Sequence, residues 1–232
     1  MVKHIVLLAA LAAGLVSSAL ASSDRNDDIE RIRNATQVFH EIMATPDKGI
    51  PQELLESAKC IAIIPGEKKA AFVVGGSYGK GLATCRTAGG WSAPLFVALG
   101  GGSVGFQIGG SSTDLVMIFM NDKGLQSLLS DKFKIGADAT AAAGPIGRHA
   151  AADTDAKMNA EILAYSRSKG LFVGISLDGA VVQADQSGDH AMYGEKVNRR
   201  EIVDGSVRVP EAAEPLLREI AQYTGAQQAS VR

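Results

Sequence analysis

Apolar residues recur every three or four positions between Asp24 and Met43. Ile29, Ile32, Ala35, Val38, Phe39, Ile42 and Met43 form the stripe, with Glu30, Arg31, Arg33 and Glu41 on the other side. That period predicts an amphipathic helix. Asp24, Asp27 and Asp28 stand at its start, where acids suit the helix dipole, and Pro46 with Gly49 ends it. A second, short helix is expected from Pro51 through Leu54, Leu55 and Ala58, because proline is favourable at a first helical position.

From Cys60 the pattern changes to short apolar runs punctuated by glycine and proline. Ile61–Ile64, Ala70–Val74, Leu82–Cys85, Leu95–Leu99, Gly105–Ile108 and Leu115–Phe119 read as strands. Asn121-Asp122 suits the cap of a helix over Leu125–Leu129. Phe133–Ala143 reads as a further strand ending in Gly144-Pro145. The segment from Asp153 is open between helix and strand. Ile162–Ser166 and Leu171–Ile175 flank Lys169-Gly170 as a hairpin, and Asp178-Gly179 turns into Ala180–Val182. Glu211–Tyr223 is a last amphipathic helix with Leu216, Leu217 and Ile220 inward. Strands and helices do not alternate regularly. The expected fold is therefore α+β, one domain with a twisted, mostly antiparallel sheet and flanking helices.

The amino terminus follows another pattern. Lys3 and His4 precede an apolar run from Ile5 to Val16, then small residues and Ala19-Leu20-Ala21. This is the signature of a secretory signal peptide. A run of about 12 apolar residues is too short for the roughly 20 that a spanning helix needs. The expected organisation is a signal peptide over 1–21, an amphipathic helix and linker over 22–50, and an α+β domain with a C-terminal helix over 51–232. The mature protein is expected outside the cytoplasm, periplasmic or extracellular. Pro94–Met120 also raises a membrane question, but Gln107, Asp114 and several glycines suit soluble β-structure better.

Composition narrows the function. With 23 basic and 25 acidic residues the net charge is −2, which disfavours a nucleic-acid partner. Glycine, at 26 of 232 residues, is enriched and will imitate glycine-rich motifs by chance. Gly75-Gly76-Ser77-Tyr78-Gly79 and Gly101-Gly102-Ser103-Val104-Gly105 both match the G-x-S-x-G elbow. Neither is followed by a convincing helix, which the elbow requires. A serine hydrolase completed by His149 or His190 with Asp155 or Asp185 is the weakest alternative. Gly100-x-Gly102-x-x-Gly105 fits a dinucleotide fingerprint but leads into strand, so no cofactor is expected. His149, Asp153 and Asp155 are the one compact set of metal-type side chains, and loop residues facing solvent are the better reading. No metal site is assigned. Cys60 and Cys85 are the only cysteines. In an oxidising compartment a disulfide is expected, the alternative being two buried thiols in adjacent strands.

Particular strings are less generic. Ile61-Ala62-Ile63-Ile64-Pro65, Tyr78-Gly79-Lys80-Gly81 and Trp91-Ser92-Ala93-Pro94 follow in close order. Gly105-Phe106-Gln107-Ile108-Gly109, then Asp138 to Gly144-Pro145-Ile146-Gly147-Arg148, then Tyr165-Ser166-Arg167-Ser168-Lys169-Gly170-Leu171-Phe172 come next, and Tyr193-Gly194 closes the set. Together they resemble the SYLF domain, the lipid-binding, actin-regulator-like family, over about Pro51 to Val203. The resemblance implies a non-catalytic module of phosphoinositide-type lipid binding, with no enzyme activity. Eukaryotic members are actin-associated; an exported protein does not meet actin, so that partner is not carried over. The expected function is peripheral association with an anionic lipid or membrane surface of the cell envelope. Ile29, Ile32, Phe39 and Ile42 of the first helix would insert at the headgroup boundary. Lys68 and Lys69 would meet anionic headgroups, with Lys80, Arg148 and Lys169 as further basic candidates. The alternative is an envelope module that binds a protein partner and no lipid.

Overall fold

The computed structural model describes residues 24–45, 49–66, 77–101, 113–146, 160–168 and 171–225. Helix α1 spans 24–43, α2 Gln52–Ser57, α3 Asp122–Leu129, α4 Gln186–Tyr193, α5 Arg199–Val203 and α6 Glu214–Thr224. The strands are β1 Cys60–Ile64, β2 Ser77–Thr87, β3 Gly90–Trp91, β4 Leu95–Gly101, β5 Thr113–Phe119, β6 Lys132–Lys134, β7 Ala141–Ala143, β8 Ile162–Ser168, β9 Leu171–Gly174 and β10 Val181–Ala184. They form one sheet in the order β6-β10-β4-β2-β1-β5-β8-β7, with β3 added to β2 and β9 to β8. Every pairing is antiparallel except that of β7 with β8. The fold is α+β, as the irregular order of strands and helices predicts.

Both faces of the sheet are covered. Ile61 and Ile63 of β1 point into a core shared with Ile32, Phe39 and Ile42 of α1 and Leu216, Leu217 and Ile220 of α6. The alternate residues Cys60, Ala62 and Ile64 point into a second core with Leu128, Phe133, Val182 and Ile202. A strand covered on both sides has no polar face, which is why β1 reads as an unbroken apolar run. The α1 stripe is core: Ile32 and Phe39 are fully buried and Ile42 nearly so.

Helix ends follow local chemistry. Asn121 caps α3 by accepting the Gly124 N–H, and Asp185 caps α4 by accepting that of Gly188. Asn198 and Glu201 form a reciprocal capping box on α5. The final carbonyls of α2 are satisfied from outside the helix: Arg86 donates to Leu55, Glu56 and Ala58 oxygens while its guanidinium lies 4.9 Å from the Trp91 ring centre.

One expectation requires correction. Phe133–Ala143 is not one strand. Gly136 at φ 87° and the Asp138 carboxylate, which accepts the Lys134 N–H at 2.7 Å, turn the chain between β6 and β7. Helices α4 and α5 lie between Val182 and Glu211, where the sequence pattern predicts no element. The expected strands Ala70–Val74 and Gly105–Ile108, the segment after Asp153 and the export signal lie outside the described residues.

Candidate functional site: one end of the sheet and the charged seam beneath the first helix

Strand registers bring several chain ends to one end of the sheet. Tyr78 pairs with Gly100 and Ser77 with Gly101. Ile64 pairs with Leu115, Thr113 with Ser168, and Ser168 with Leu171. The links β1 to β2, β4 to β5 and β8 to β9 therefore all leave and re-enter at this end. Its inner margin is tied by Asp114, which accepts the Gly66 N–H at 2.9 Å and two Arg167 bonds, from Nη2 at 2.6 Å and Nε at 3.0 Å. Arg167 also donates to Glu41 of α1. That hydrogen bond is the main reason the Glu41 carboxyl lies below its ordinary range.

Glycines shape the same end. A Cβ on Gly81 would stand 2.3 Å from the Ile63 oxygen, so the backbones cross too closely for any side chain. Beyond them Tyr78 is 52% exposed, and on β9 Leu171 is 68% and Val173 47% exposed.

The second assembly is a charged seam between α1 and the sheet. Arg31 bridges Asp28 and Asp185, at 3.0 Å to each. Lys80 reaches Asp185 at 2.9 Å. Asp189 accepts the Phe96 N–H at 2.7 Å and Arg199 at 2.6 Å. Burial pushes the Asp28 carboxyl up to about 6, against the pull of Arg31. Burial also pushes Asp185 upward, but the Ser187 hydrogen bond and Lys80 outweigh it and hold it down at about 2. Each acid faces a cation or a backbone donor, so the seam fastens α1 to the sheet.

The residues read from the sequence fall into three groups. Cys60 and Cys85 are joined by a disulfide, with Cα atoms 4.0 Å apart. They are register partners, and the adjoining bond from the Arg86 N–H to the Lys59 oxygen marks a non-hydrogen-bonded pair, where Cα atoms come closest. Ile32 and Phe39 are buried, and Ile29 packs partly against the same core. The insertion assigned to them is corrected: Ile32, Phe39 and Ile42 are packed against the sheet and turn no apolar face to a bilayer in this fold. Lys80 is engaged with Asp185. Lys68, Lys69, Arg148 and Lys169 lie outside the described residues.

The motifs read for other chemistry fare as follows. Ser77 opens β2, which continues as strand to Thr87, so the strand-to-helix turn of a nucleophile elbow is not built there. Asp185 is committed to Arg31 and Lys80, and His190 is exposed on α4. Ser103, His149, Asp153 and Asp155 lie outside the described residues. Among the described residues no three His, Cys, Asp or Glu side chains converge on a metal position, and no helix is long and apolar enough to cross a membrane. Sequence reasoning missed the seam. Its only signals were two acids four residues apart at 185 and 189, and polar residues that turn out to face α1.

Fold and site thus define a class: an α+β chain with a mostly antiparallel sheet clamped between helices, with a glycine-rich strand end. Residues 100–223 match the family described as "Ysc84: Las17-binding protein actin regulator". The chain belongs to this Ysc84 family, which carries the SYLF domain. It is 36% identical to Protein YSC84 of Saccharomyces cerevisiae over 176 residues, 74% of this chain and 37% of that protein. LAS seventeen-binding protein 3 of Saccharomyces cerevisiae is 35% identical over 176 residues, 38% of its own length. SH3 domain-containing YSC84-like protein 1 of Mus musculus is 30% identical over 206 residues, which cover 87% of this chain and 60% of that protein. The chain spans less than two thirds of the length of each of these relatives. The family's description names a regulator that binds another protein, and no reaction.

Proposed function

We propose that this chain is a non-catalytic, exported protein that associates peripherally with an anionic lipid or membrane surface of the cell envelope. The observation that carries the reading is the gathering of strand ends at one end of the sheet. The strands whose ends meet there are joined in sequence by segments that carry Lys68 and Lys69, between β1 and β2, and Lys169, between β8 and β9. Each such cation adds up to about 1 kcal/mol near an anionic surface. The family's SYLF domain supports a lipid, of phosphoinositide type in the family at large. A net charge of −2 makes any attraction local to that end. Cleavage after Ala21 would release a chain beginning just before α1, and the Cys60–Cys85 bond suits an oxidising compartment.

A second reading has its own support, since the family description and the name of one relative, LAS seventeen-binding protein 3, are those of a Las17-binding protein. In it, the chain docks a protein partner and no lipid. Co-sedimentation of the mature chain with phosphatidylcholine vesicles, with and without phosphatidylglycerol, separates the two. Binding that needs the anionic lipid, weakens with salt and drops in Lys68→Glu/Lys69→Glu is the expected result. Absence of sedimentation with every mixture overturns the lipid reading and leaves the protein partner in front.

A further inference from the structure

We propose that the sheet meets the bilayer end-on, with Tyr78 and Leu171 as apolar anchors on opposite faces; this inference rests on the lipid reading above. Tyr78, Leu171 and Val173 are the exposed large apolar side chains among the described residues. Single exposed hydrophobes are ordinary. Their position here is not. Tyr78 lies beside Gly100 where β2 begins, and Leu171 lies beside Ser168 where β9 begins, both at the end that collects the strand links. β9, β8, β5, β1 and β2 are consecutive neighbours, so four strand spacings, about 19 Å, separate the two side chains along that end.

The faces decide what kind of partner fits. Side chains alternate along a strand, so Tyr78 shares a face with Leu82, which packs toward α1. Leu171 pairs with Ser168, which shares a face with Ala164 and Ile162 in the opposite core. A globular partner seated on one face reaches one of the two anchors. A planar surface approached along the strand axis reaches both. Tyrosine suits that boundary, with its ring in the apolar zone and its hydroxyl among headgroups. The α1 stripe offers no competing anchor while Ile32 and Phe39 remain fully buried. A partner strand added to β9 would use Leu171 and Val173 and leave Tyr78 idle, so it is an outcome the experiment separates.

The test uses single tryptophan reporters and vesicles with brominated acyl chains, made of phosphatidylcholine with phosphatidylglycerol. Tyr78→Trp and Leu171→Trp carry the reporters, and Ala88→Trp, exposed in the turn at the opposite end of β2, is the control. The native Trp91 is buried at 2% exposure and supplies a constant background. The expected result is bromine quenching in Tyr78→Trp and Leu171→Trp and none in Ala88→Trp. Tyr78→Ser and Leu171→Ser should each weaken vesicle binding about tenfold. All these positions are on the surface, so unchanged melting temperatures show that the fold is kept. Sedimentation with vesicles but no quenching at either anchor overturns the end-on geometry and leaves lipid binding standing. Quenching at Leu171→Trp alone also overturns it, in favour of contact through β9. Failure of the unmodified protein to sediment removes the lipid reading and the end-on geometry with it.

Discussion

Arg31 and Asp185 stand 154 positions apart in sequence and are joined by a 3.0 Å hydrogen bond between Nη1 and Oδ2. The pair ties α1 to the cap of α4 in a seam with carboxyl groups of opposite character. Asp28 is 2% exposed and raised to about 6, mainly by burial. Asp185 is lowered to about 2 by Ser187 and Lys80 despite its burial.

These shifts have opposite signs in stability. A carboxyl raised on folding contributes stability that is present at low pH and lost as pH rises, here from about 4 through 6. Asp185 contributes stability present above about 4 and lost as pH falls through 2. Asp28→Asn removes the first dependence and leaves the second. Its stability relative to the native chain should therefore improve by about 1–2 kcal/mol between pH 4 and 7, after allowance for solvent screening. Urea unfolding of both proteins across that range measures it. A difference that stays constant with pH would show that Asp28 titrates normally.

Arg167 fastens the other end of α1. It joins Glu41 of that helix to Asp114 of β5, with its guanidinium largely covered. Arg167→Ala leaves the Asp114 carboxylate with the Gly66 N–H alone, and should cost about 2 kcal/mol. Hydrogen exchange gives the sharper reading. Amides near the C-terminal end of α1 should exchange faster while those of β1 are unchanged. Equal acceleration in both would mean that α1 and the sheet open only together.

The Cys60–Cys85 bond closes a loop with a sequence separation of 25 residues. In the chain-entropy estimate such a link contributes about 3 kcal/mol, so Cys60→Ala/Cys85→Ala should lower the melting temperature by several degrees. Alkylation of non-reduced protein followed by mass measurement should find no labelled thiol. Both sulfurs belong to buried residues, so reduction should need partial unfolding and proceed slowly in native buffer. Fast reduction under those conditions would contradict the packing.

Local patterns carried much of this fold, and long-range partners did not. The period of Ile32, Ala35, Phe39 and Ile42 marks α1 plainly, but an apolar stripe looks the same whether a sheet or a bilayer receives it. The Cys60–Cys85 pair was legible because only two cysteines exist. The strand end was half legible: glycines and lysines stood out, while Tyr78 reads as part of a glycine-rich motif and Leu171 as an ordinary strand residue. Helix α4 was hidden by Gly188, a poor helix former. A Cβ there would stand 3.0 Å from the Phe96 Cβ and Cγ, so tight packing against β4 favours the glycine that local propensity opposes.

The closest such crossing among the described residues lies at Gly144 and yields the most demanding prediction. A Cβ at Gly144 would fall 2.0 Å from Cζ and 2.4 Å from Cε1 and Cε2 of Tyr165. The ring is fully buried in the core shared with α1, so it has no free space to swing into. The Gly144 backbone is fixed as well: its N–H donates to the Ala164 oxygen at 3.0 Å, and its own oxygen would stand 2.1 Å from a Cβ on Gly174. Gly144→Ala should therefore destabilise by about 3 kcal/mol or more, through overpacking. Tyr165→Leu alone should cost about 2–4 kcal/mol by leaving a cavity. Combined, the two should cost at least 1 kcal/mol less than their sum, because the shorter side chain vacates the volume that the new methyl needs. Denaturant unfolding of the four proteins completes the cycle. Strict additivity would mean that the backbone at Gly144 moves aside, and that this crossing does not hold the ring in place.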